Sequence, residues 1–142
     1  MGCSLPQWCL LIAAKMKRPT ILLVEDEELI RSLLSEAMTD DGFNVVAMES
    51  GDAALRWLET GEKFDLLLTD IQLPGTLDGI AIAHAARQRQ PRVPIIFTTG
   101  QPDRVAPWPP GDIDLFIAKP YRPSQICSAI IKMTGRQTSD IC

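Results

Sequence analysis

Short apolar runs alternate with amphipathic segments along most of the chain from Thr20 onward. Five runs of mostly apolar residues, each too short for a typical helix and bounded by turn signals, predict buried strands. Their centres are Ile21–Val24, Val45–Val46, Phe64–Leu68, Ile95–Phe97 and Leu115–Ala118. Strands that alternate with helical segments predict an α/β fold with one parallel sheet and right-handed crossovers.

Helices are predicted where apolar residues recur at helical spacing between these runs. The first helix ends at Gly42 and carries an apolar stripe of Leu29, Ile30, Leu33, Leu34, Ala37 and Met38. A short second helix covers Asp52–Leu58. The third follows Asp78, whose side chain can cap it, and runs to about Gln90. For the last helix we expect Ser124 to be the cap.

The connection between the fourth and fifth strands interrupts the alternation. Residues 100–111 contain four prolines. Proline lacks a backbone donor and disfavours helical geometry in the residue before it. We therefore expect a Pro-rich loop in place of a fourth helix, with Trp108 covering the core that the missing helix would leave open.

Composition narrows the class of protein. A chain of 142 residues suits a single domain. The net charge of −4 argues against nonspecific binding to nucleic acid, because little would neutralise the phosphates. The four cysteines have neither CxxC nor His-rich spacing, so we expect neither a zinc site nor a disulfide framework. A reduced, cytoplasmic setting is the simplest account.

The two ends of the chain stand apart from this pattern. We interpret residues 1–16 as an extension upstream of a natural start near Met16, either disordered or docked on another surface through Trp8 and its leucines. Its apolar part is too short to span a bilayer, so no membrane insertion is expected. Residues 17–135 form the predicted domain, and residues 136–142 are a short polar tail.

Polar residues at the carboxyl ends of four predicted strands carry the candidate chemistry. The first strand is followed by Glu25 and Asp26, and the others by Asp70, Thr99 and Lys119. In an open parallel sheet these ends meet at one edge, where ligands bind. Clustered carboxylates repel one another and are stable mainly with a cation. Their hard oxygens favour Mg²⁺, which is usually completed by phosphate oxygens.

Asp70 is the candidate nucleophile of this cluster. A carboxylate can form an acyl phosphate when its charge is neutralised, and a lysine and a hydroxyl could hold the phosphoryl oxygens. Taken singly, each residue has a structural explanation: a turn for Asp70, a core-edge hydroxyl for Thr99, a surface charge for Lys119. Their conjunction at successive strand ends favours a phosphoryl site.

Four motifs then show a family resemblance. They are Leu22–Glu27, Thr69–Gly75, Pro94–Gly100 and Phe116–Tyr121. Together they resemble the receiver domain of response regulators in two-component signalling, over roughly Lys17 to Thr134. The resemblance implies a flavodoxin-like, doubly wound sheet in the order 2-1-3-4-5 with helices on both faces.

The resemblance also implies roles for the acidic residues. Asp70 would accept a phosphoryl group from the phosphohistidine of a histidine kinase or phosphotransfer protein, as one step of a phosphorelay. Asp26, Asp70 and the main-chain carbonyl of Gln72 would ligate Mg²⁺ directly. Glu25 would act on the metal largely through water.

Further roles are implied for the other strand ends. Thr99 and Lys119 would bind the phosphoryl group, although Thr98 is an adjacent candidate. Phe116 would occupy the position of the switch aromatic. The bond between Lys119 and Pro120 is expected to be cis.

This chain departs from the family pattern in ways that affect its output. One residue more than usual, Leu77 or Thr76, separates Pro74 from Asp78. Phe116 lacks the hydroxyl of the more familiar tyrosine, so its switching would depend on packing alone. The longer loop and the Pro-rich stretch leave phosphorylation intact but put the usual output surface in doubt.

Two other classes of protein remain open. A pseudo-receiver would bind partners without phosphorylation, although the intact acidic site speaks against it. A phosphohydrolase with an Asp nucleophile would need an acid–base Asp at position 72, where Gln72 stands. Since no DNA-binding segment or catalytic module follows the last helix, we expect a stand-alone receiver that signals by protein contact. It would be no enzyme, beyond a slow autodephosphorylation that the sequence leaves open.

Overall fold

The computed structural model describes Pro6, Gln7 and residues 18–102 and 113–135. Most of the N-terminal extension and the tail at 136–142 therefore lie outside the described residues. The same holds for residues 103–112, which make up most of the expected Pro-rich loop.

Five strands form one parallel sheet with the spatial order β2-β1-β3-β4-β5. The strands are β1 (Thr20–Val24), β2 (Asn44–Met48), β3 (Leu66–Asp70), β4 (Ile95–Thr99) and β5 (Asp114–Ala118). The central strands β3 and β4 are buried along their whole length, whereas the edge strands β2 and β5 are partly exposed. The predicted order and the parallel sheet are confirmed.

Four helices are described on the two faces of the sheet. They are α1 (Glu28–Asp40), α2 (Gly51–Glu59), α3 (Gly79–Arg89) and α4 (Pro123–Thr134). Among the described residues, none of the helices has both the length and the apolar character needed to cross a membrane.

The sequence predicted capping residues for two helices, and one of these two predictions is confirmed. The Asp78 side chain accepts a hydrogen bond of 2.9 Å from the Ala81 backbone N–H, as expected for a cap. The predicted Ser124 cap is wrong, because α4 begins at Pro123 and its N-cap is Arg122, two residues before Ser124. A proline suits the first helical position, where its missing N–H would have no partner anyway.

Two apolar clusters form the core, one on each face of the sheet. Because side chains alternate along a strand, Leu67 packs with α2 and α3 while Leu66 and Leu68 pack with α1 and α4. Both faces of the central strands are covered, which explains their continuous apolar runs.

The apolar stripe predicted for α1 is too wide. Leu34 and Met38 are buried, but Leu29 and Leu33 are 72% and 50% exposed. Successive helix positions are rotated by about 100°, so Leu29 and Leu33, which come one position before Ile30 and Leu34, lie at the edge of the stripe. Helical spacing alone did not distinguish the edge of the stripe from its centre.

Side-chain contacts tie α3 to its neighbours. The Arg87 guanidinium forms an ion pair with the buried Asp114 at the start of β5 and donates a 2.9 Å hydrogen bond to the Val93 carbonyl. Arg89 donates a 3.0 Å hydrogen bond to the carbonyl of Leu58 near the end of α2. These contacts hold the edge strand and α2 against the same helix.

Two glycines allow the loop after β3 to pack closely. A Cβ on Gly79 would lie 2.1 Å from the Asp70 carbonyl oxygen. A Cβ on Gly51, at the start of α2, would lie 2.3 Å from the carbonyl oxygen of Leu77. Leu77, one of the two candidates for the extra residue expected in this loop, thus lies directly against the start of α2.

We predict that Gly79→Ala lowers the free energy of unfolding by roughly 1–3 kcal/mol, because the new methyl group overlaps the Asp70 backbone. Denaturant unfolding measures the change. The matched control is Gly100→Ala, whose Cβ meets no heavy atom within 4 Å and which should change stability by less than about 1 kcal/mol. Equal effects of the two substitutions would contradict the close approach.

Candidate functional site

Three carboxylates converge at the carboxyl edge of the sheet. Glu25 and Asp26 follow β1, and Asp70 ends β3. One oxygen of each carboxylate lies within 4.8 Å of the others. Glu25 and Asp70 are only 2% and 5% exposed, whereas Asp26 is open to solvent. The structure thus brings together the three acidic residues that the sequence singled out.

The loop between β1 and α1 is fixed by its own hydrogen bonds. The Glu27 backbone N–H donates to Glu25 Oε2 at 3.2 Å. The Arg31 guanidinium donates to the carbonyl oxygens of Glu25 at 2.9 Å and Asp26 at 3.3 Å. Sequence reasoning missed Arg31, although a basic residue in the first turn of α1, just after an acidic loop, is a signal that could have found it.

Lys119 supplies the positive charge of the site. Its Nζ lies 2.7 Å from Asp70 Oδ2 and 3.5 Å from Glu25 Oε1. Burial by itself lowers the pKa of Lys119, but the hydrogen bond to Asp70 and the charges of both carboxylates outweigh it and raise the pKa. Lys119 therefore stays protonated. The expected cis bond between Lys119 and Pro120 is present.

Gln72 contacts the site through both its backbone and its side chain. Its backbone N–H donates to Asp70 Oδ1 at 3.2 Å, so each oxygen of Asp70 has a partner. Its side-chain Oε1 accepts a 3.1 Å hydrogen bond from the Thr99 hydroxyl. Sequence reasoning considered only the main-chain carbonyl of Gln72.

Thr99 lies at the end of β4 beside this loop. It is 1% exposed, and its Oγ1 accepts a 2.9 Å hydrogen bond from the Gln101 backbone N–H. The strand register pairs Asp70 with Thr98 rather than with Thr99. Thr99 comes one residue beyond that pair, where its hydroxyl reaches the loop that follows β3.

Phe116 is half-buried on β5 and packs against the core that faces α2 and α3. Its ring stacks on the fully buried ring of Phe97, with centroids 4.9 Å apart and an interplanar angle of 16°. A change in the Phe116 rotamer would break this stacking. Any switching role of Phe116 would therefore act through its contact with Phe97.

Tyr121 is a neighbour of the site whose hydroxyl sequence reasoning overlooked. Among the residues that the structure describes, its Oη is the buried side-chain polar atom without a hydrogen-bond partner. Burial, followed by the negative charge of Glu25, raises the pKa of Tyr121 to about 12. No sequence pattern distinguishes a paired from an unpaired phenol.

The carboxylates of Glu25, Asp26 and Asp70 fit a divalent metal ion. Burial raises the pKa of Glu25 to about 6, although the hydrogen bond from the Glu27 N–H and the charge of Lys119 both lower it. Three carboxylates also face the single positive charge of Lys119, so that ammonium offsets only part of their charge when they are ionised. Three hard oxygen donors that converge in this way suit Mg²⁺.

The sequence model of the response regulator receiver domain family matches residues 21–131. The chain belongs to this family. Its fold and its acidic pocket are those of a receiver domain of two-component signalling, as the motifs predicted. Receiver domains are phosphoacceptors rather than enzymes in the usual sense, and they interact with histidine kinases or phosphotransfer proteins.

Among curated relatives, this receiver domain is 36% identical over 109 residues to the alkaline phosphatase synthesis transcriptional regulatory protein PhoP of Bacillus subtilis. The match covers 75% of this chain and 44% of PhoP. The chain spans less than half the length of the curated relatives that it matches first.

Two solved structures of similar receiver proteins contain magnesium. One is the receiver domain of the sensor histidine kinase PA1611 from Pseudomonas aeruginosa, with magnesium coordinated in its active-site cleft. It is 27% identical to this chain with a TM-score of 0.70, and the match covers 84% of this chain and 99% of that chain. The response regulator TrrA from Thermotoga maritima, in complex with Mg²⁺ and BeF, is 26% identical with a TM-score of 0.69, covering 81% and 98%. The acidic cluster of this chain resembles a receiver-domain metal site.

We predict that Glu25 makes the metal-free domain more stable as the pH falls from 7 to 5. With a pKa of about 6 in the folded state and 4.5 ordinarily, the folded chain binds the proton first, so acidification favours folding. Denaturant unfolding with a chelator at each pH should show this trend in the unsubstituted domain, relative to Glu25→Gln. Glu36→Gln, an exposed change on α1, should leave the trend intact. Parallel pH profiles for the unsubstituted domain and Glu25→Gln would contradict the raised pKa.

We predict that Tyr121→Phe raises the free energy of unfolding by about 1–2 kcal/mol, because it removes a buried hydroxyl that has no partner and keeps the ring. The chain has a single tyrosine, so a phenolate absorbance titration of the unsubstituted domain reports on this side chain alone and should show an apparent pKa of about 12. A loss of stability in Tyr121→Phe would show that the hydroxyl has a partner after all.

Proposed function

We propose that Asp70 accepts a phosphoryl group from the phosphohistidine of a histidine kinase or phosphotransfer protein. The observation that carries the proposal is the convergence of Glu25, Asp26 and Asp70 within 4.8 Å, with the Lys119 ammonium 2.7 Å from Asp70. The Lys119 ammonium, together with a metal ion held by the carboxylates, would offset the negative charge of an incoming phosphoryl group. A cytoplasmic location belongs to the same proposal, since histidine kinases donate to their receivers there.

The reaction is a transfer between two nucleophiles. A carboxylate oxygen of Asp70 attacks phosphorus, the new O–P bond forms, and the N–P bond to the donor histidine breaks. The product is an acyl phosphate on Asp70 and a free imidazole on the donor. Lys119, which now pairs with Asp70 Oδ2, would transfer its hydrogen bond to a phosphoryl oxygen.

Mg²⁺ is the metal that we assign to this site. Asp26, Asp70 and the main-chain carbonyl of Gln72 would hold it directly, and Glu25 would hold it largely through water. When bound, the metal supplies positive charge that reduces the repulsion between the carboxylates and an incoming phosphoryl group. Support comes from the hard oxygen donors and from the magnesium present in the PA1611 and TrrA structures.

Signalling would follow from the residues at the ends of β4 and β5. The Thr99 hydroxyl would donate a hydrogen bond to the phosphoryl group. Phe116 would respond by changing how its ring packs against Phe97. Because Phe116 has no hydroxyl, its two positions would differ only in stacking and burial. The output is then a change in a protein-binding surface.

We predict that a small acyl-phosphate donor with Mg²⁺ adds one phosphoryl group to the domain, seen by intact mass spectrometry. Asp70→Asn should abolish the adduct, because the amide is not a nucleophile for this transfer. Asp40→Asn, an exposed aspartate at the end of α1, is the matched control and should retain it. A chelator should prevent the adduct in the unsubstituted domain.

An adduct that persists in Asp70→Asn would refute the assignment of the acceptor. An unsubstituted domain that is never phosphorylated, by the small donor or by a phosphorylated histidine kinase, would instead indicate a pseudo-receiver that works by binding alone.

A further inference from the structure

The side chain of Gln72 engages the one hydroxyl that the proposed function requires. Gln72 lies in the loop after β3, and Thr99 is the last residue of β4. Thr99 Oγ1 donates to Gln72 Oε1 at 3.1 Å across 27 positions of sequence. This hydrogen bond links the loop after β3 to the end of β4. A phosphoryl group on Asp70 that bound Thr99 would link β3 and β4 at the same place.

A threonine hydroxyl has a single proton to donate. In this structure that proton is donated to Gln72, while the oxygen accepts from the Gln101 backbone N–H at 2.9 Å. Thr99 is 1% exposed, so water does not easily replace either partner. The hydroxyl cannot donate to a group on Asp70 until Gln72 releases it.

We propose that the Gln72 side chain is a latch on Thr99, whose carbonyl oxygen competes with a phosphoryl oxygen on Asp70 for the same hydroxyl proton. This inference rests on the proposed function and goes beyond it. Gln72 is a positioning residue here, since its side chain acts through Thr99. The latch would set how strongly the phosphorylated state is favoured.

The two ends of the latch differ in a way that makes it reversible. Gln72 is exposed, so its amide can hydrogen-bond to water once it lets go. Its backbone N–H remains bonded to Asp70 Oδ1 at 3.2 Å, which keeps the loop in place. Opening therefore needs a rotation of the Gln72 side chain and not a movement of the loop.

The latch lowers the apparent affinity for a phosphoryl group by the fraction of molecules in which Thr99 is free. One net hydrogen bond between neutral groups corresponds to roughly a two- to tenfold change in that fraction. Gln72→Met has nearly the same length and no side-chain acceptor of comparable strength. It should shift the population toward the free hydroxyl.

The experiment is calorimetric titration with beryllofluoride, a phosphoryl analogue, at saturating Mg²⁺. Gln72→Met should bind it roughly two- to tenfold more tightly than the unsubstituted domain. A titration of both domains with Mg²⁺ alone shows whether a gain arises at the metal site instead, to which Gln72 would contribute only its backbone carbonyl. Gln88→Met, a matched change at an exposed glutamine on α3, should leave both affinities unchanged.

A double-mutant cycle tests whether the effect passes through the hydroxyl. In a Thr99→Val background, Gln72→Met should give no further tightening, because no proton remains to compete for. The same gain in both backgrounds would overturn the latch. So would an equal gain in Mg²⁺ affinity, which would indicate a change at the metal site instead.

A measurement without any ligand separates the latch from the proposed function. Three-bond couplings to the Thr99 methyl group should report one rotamer in the unsubstituted domain and rotamer averaging in Gln72→Met. Beryllofluoride binding with unchanged couplings and unchanged affinity would overturn the latch and leave the proposed function standing. No beryllofluoride binding to the unsubstituted domain would overturn the proposed function, and the regulatory role of the latch with it.

Discussion

The burial of Asp70 beside Glu25 is the constraint on which the rest of this edge of the sheet depends. Two nearly buried carboxylates cannot both stay charged at close range without compensation, and the Lys119 ammonium supplies it at 2.7 Å and 3.5 Å. One ammonium does not balance the whole cluster, which leaves a residual attraction for a second cation. The carboxylates that pair with Lys119 to stabilise this edge of the sheet are therefore the same groups that could bind a cation.

The sheet and most of the site residues could be predicted from the sequence because each depends on local pattern. Short apolar runs such as Ile95–Phe97, bounded by turn signals, are typical of the central strands of a parallel sheet. Polar residues that end such runs must meet at one edge, which brings Glu25, Asp70 and Lys119 together without knowledge of any contact. The strand order came from the family resemblance and not from pattern.

What could not be predicted depends on three-dimensional neighbours. Leu29 and Leu33 share helical spacing with buried residues, yet both are exposed, because only one side of α1 faces the sheet. The hydrogen bond between Gln72 and Thr99 needs the exact placement of a loop against a neighbouring strand. The Tyr121 hydroxyl has no hydrogen-bond partner because none of its neighbours in the described structure offers one, and a sequence does not show such neighbours.

The long sequence separation within the ion pairs has a consequence for folding. Lys119 pairs with residues 49 and 94 positions earlier in the chain, so these contacts form only after β5 has docked on β4. Contacts between distant segments form late, since loop closure must precede them. A chain that has assembled only β1 to β4 holds its carboxylates uncompensated. The charge balance of the acidic cluster thus depends on the complete five-stranded sheet and cannot be reached by any shorter part of it.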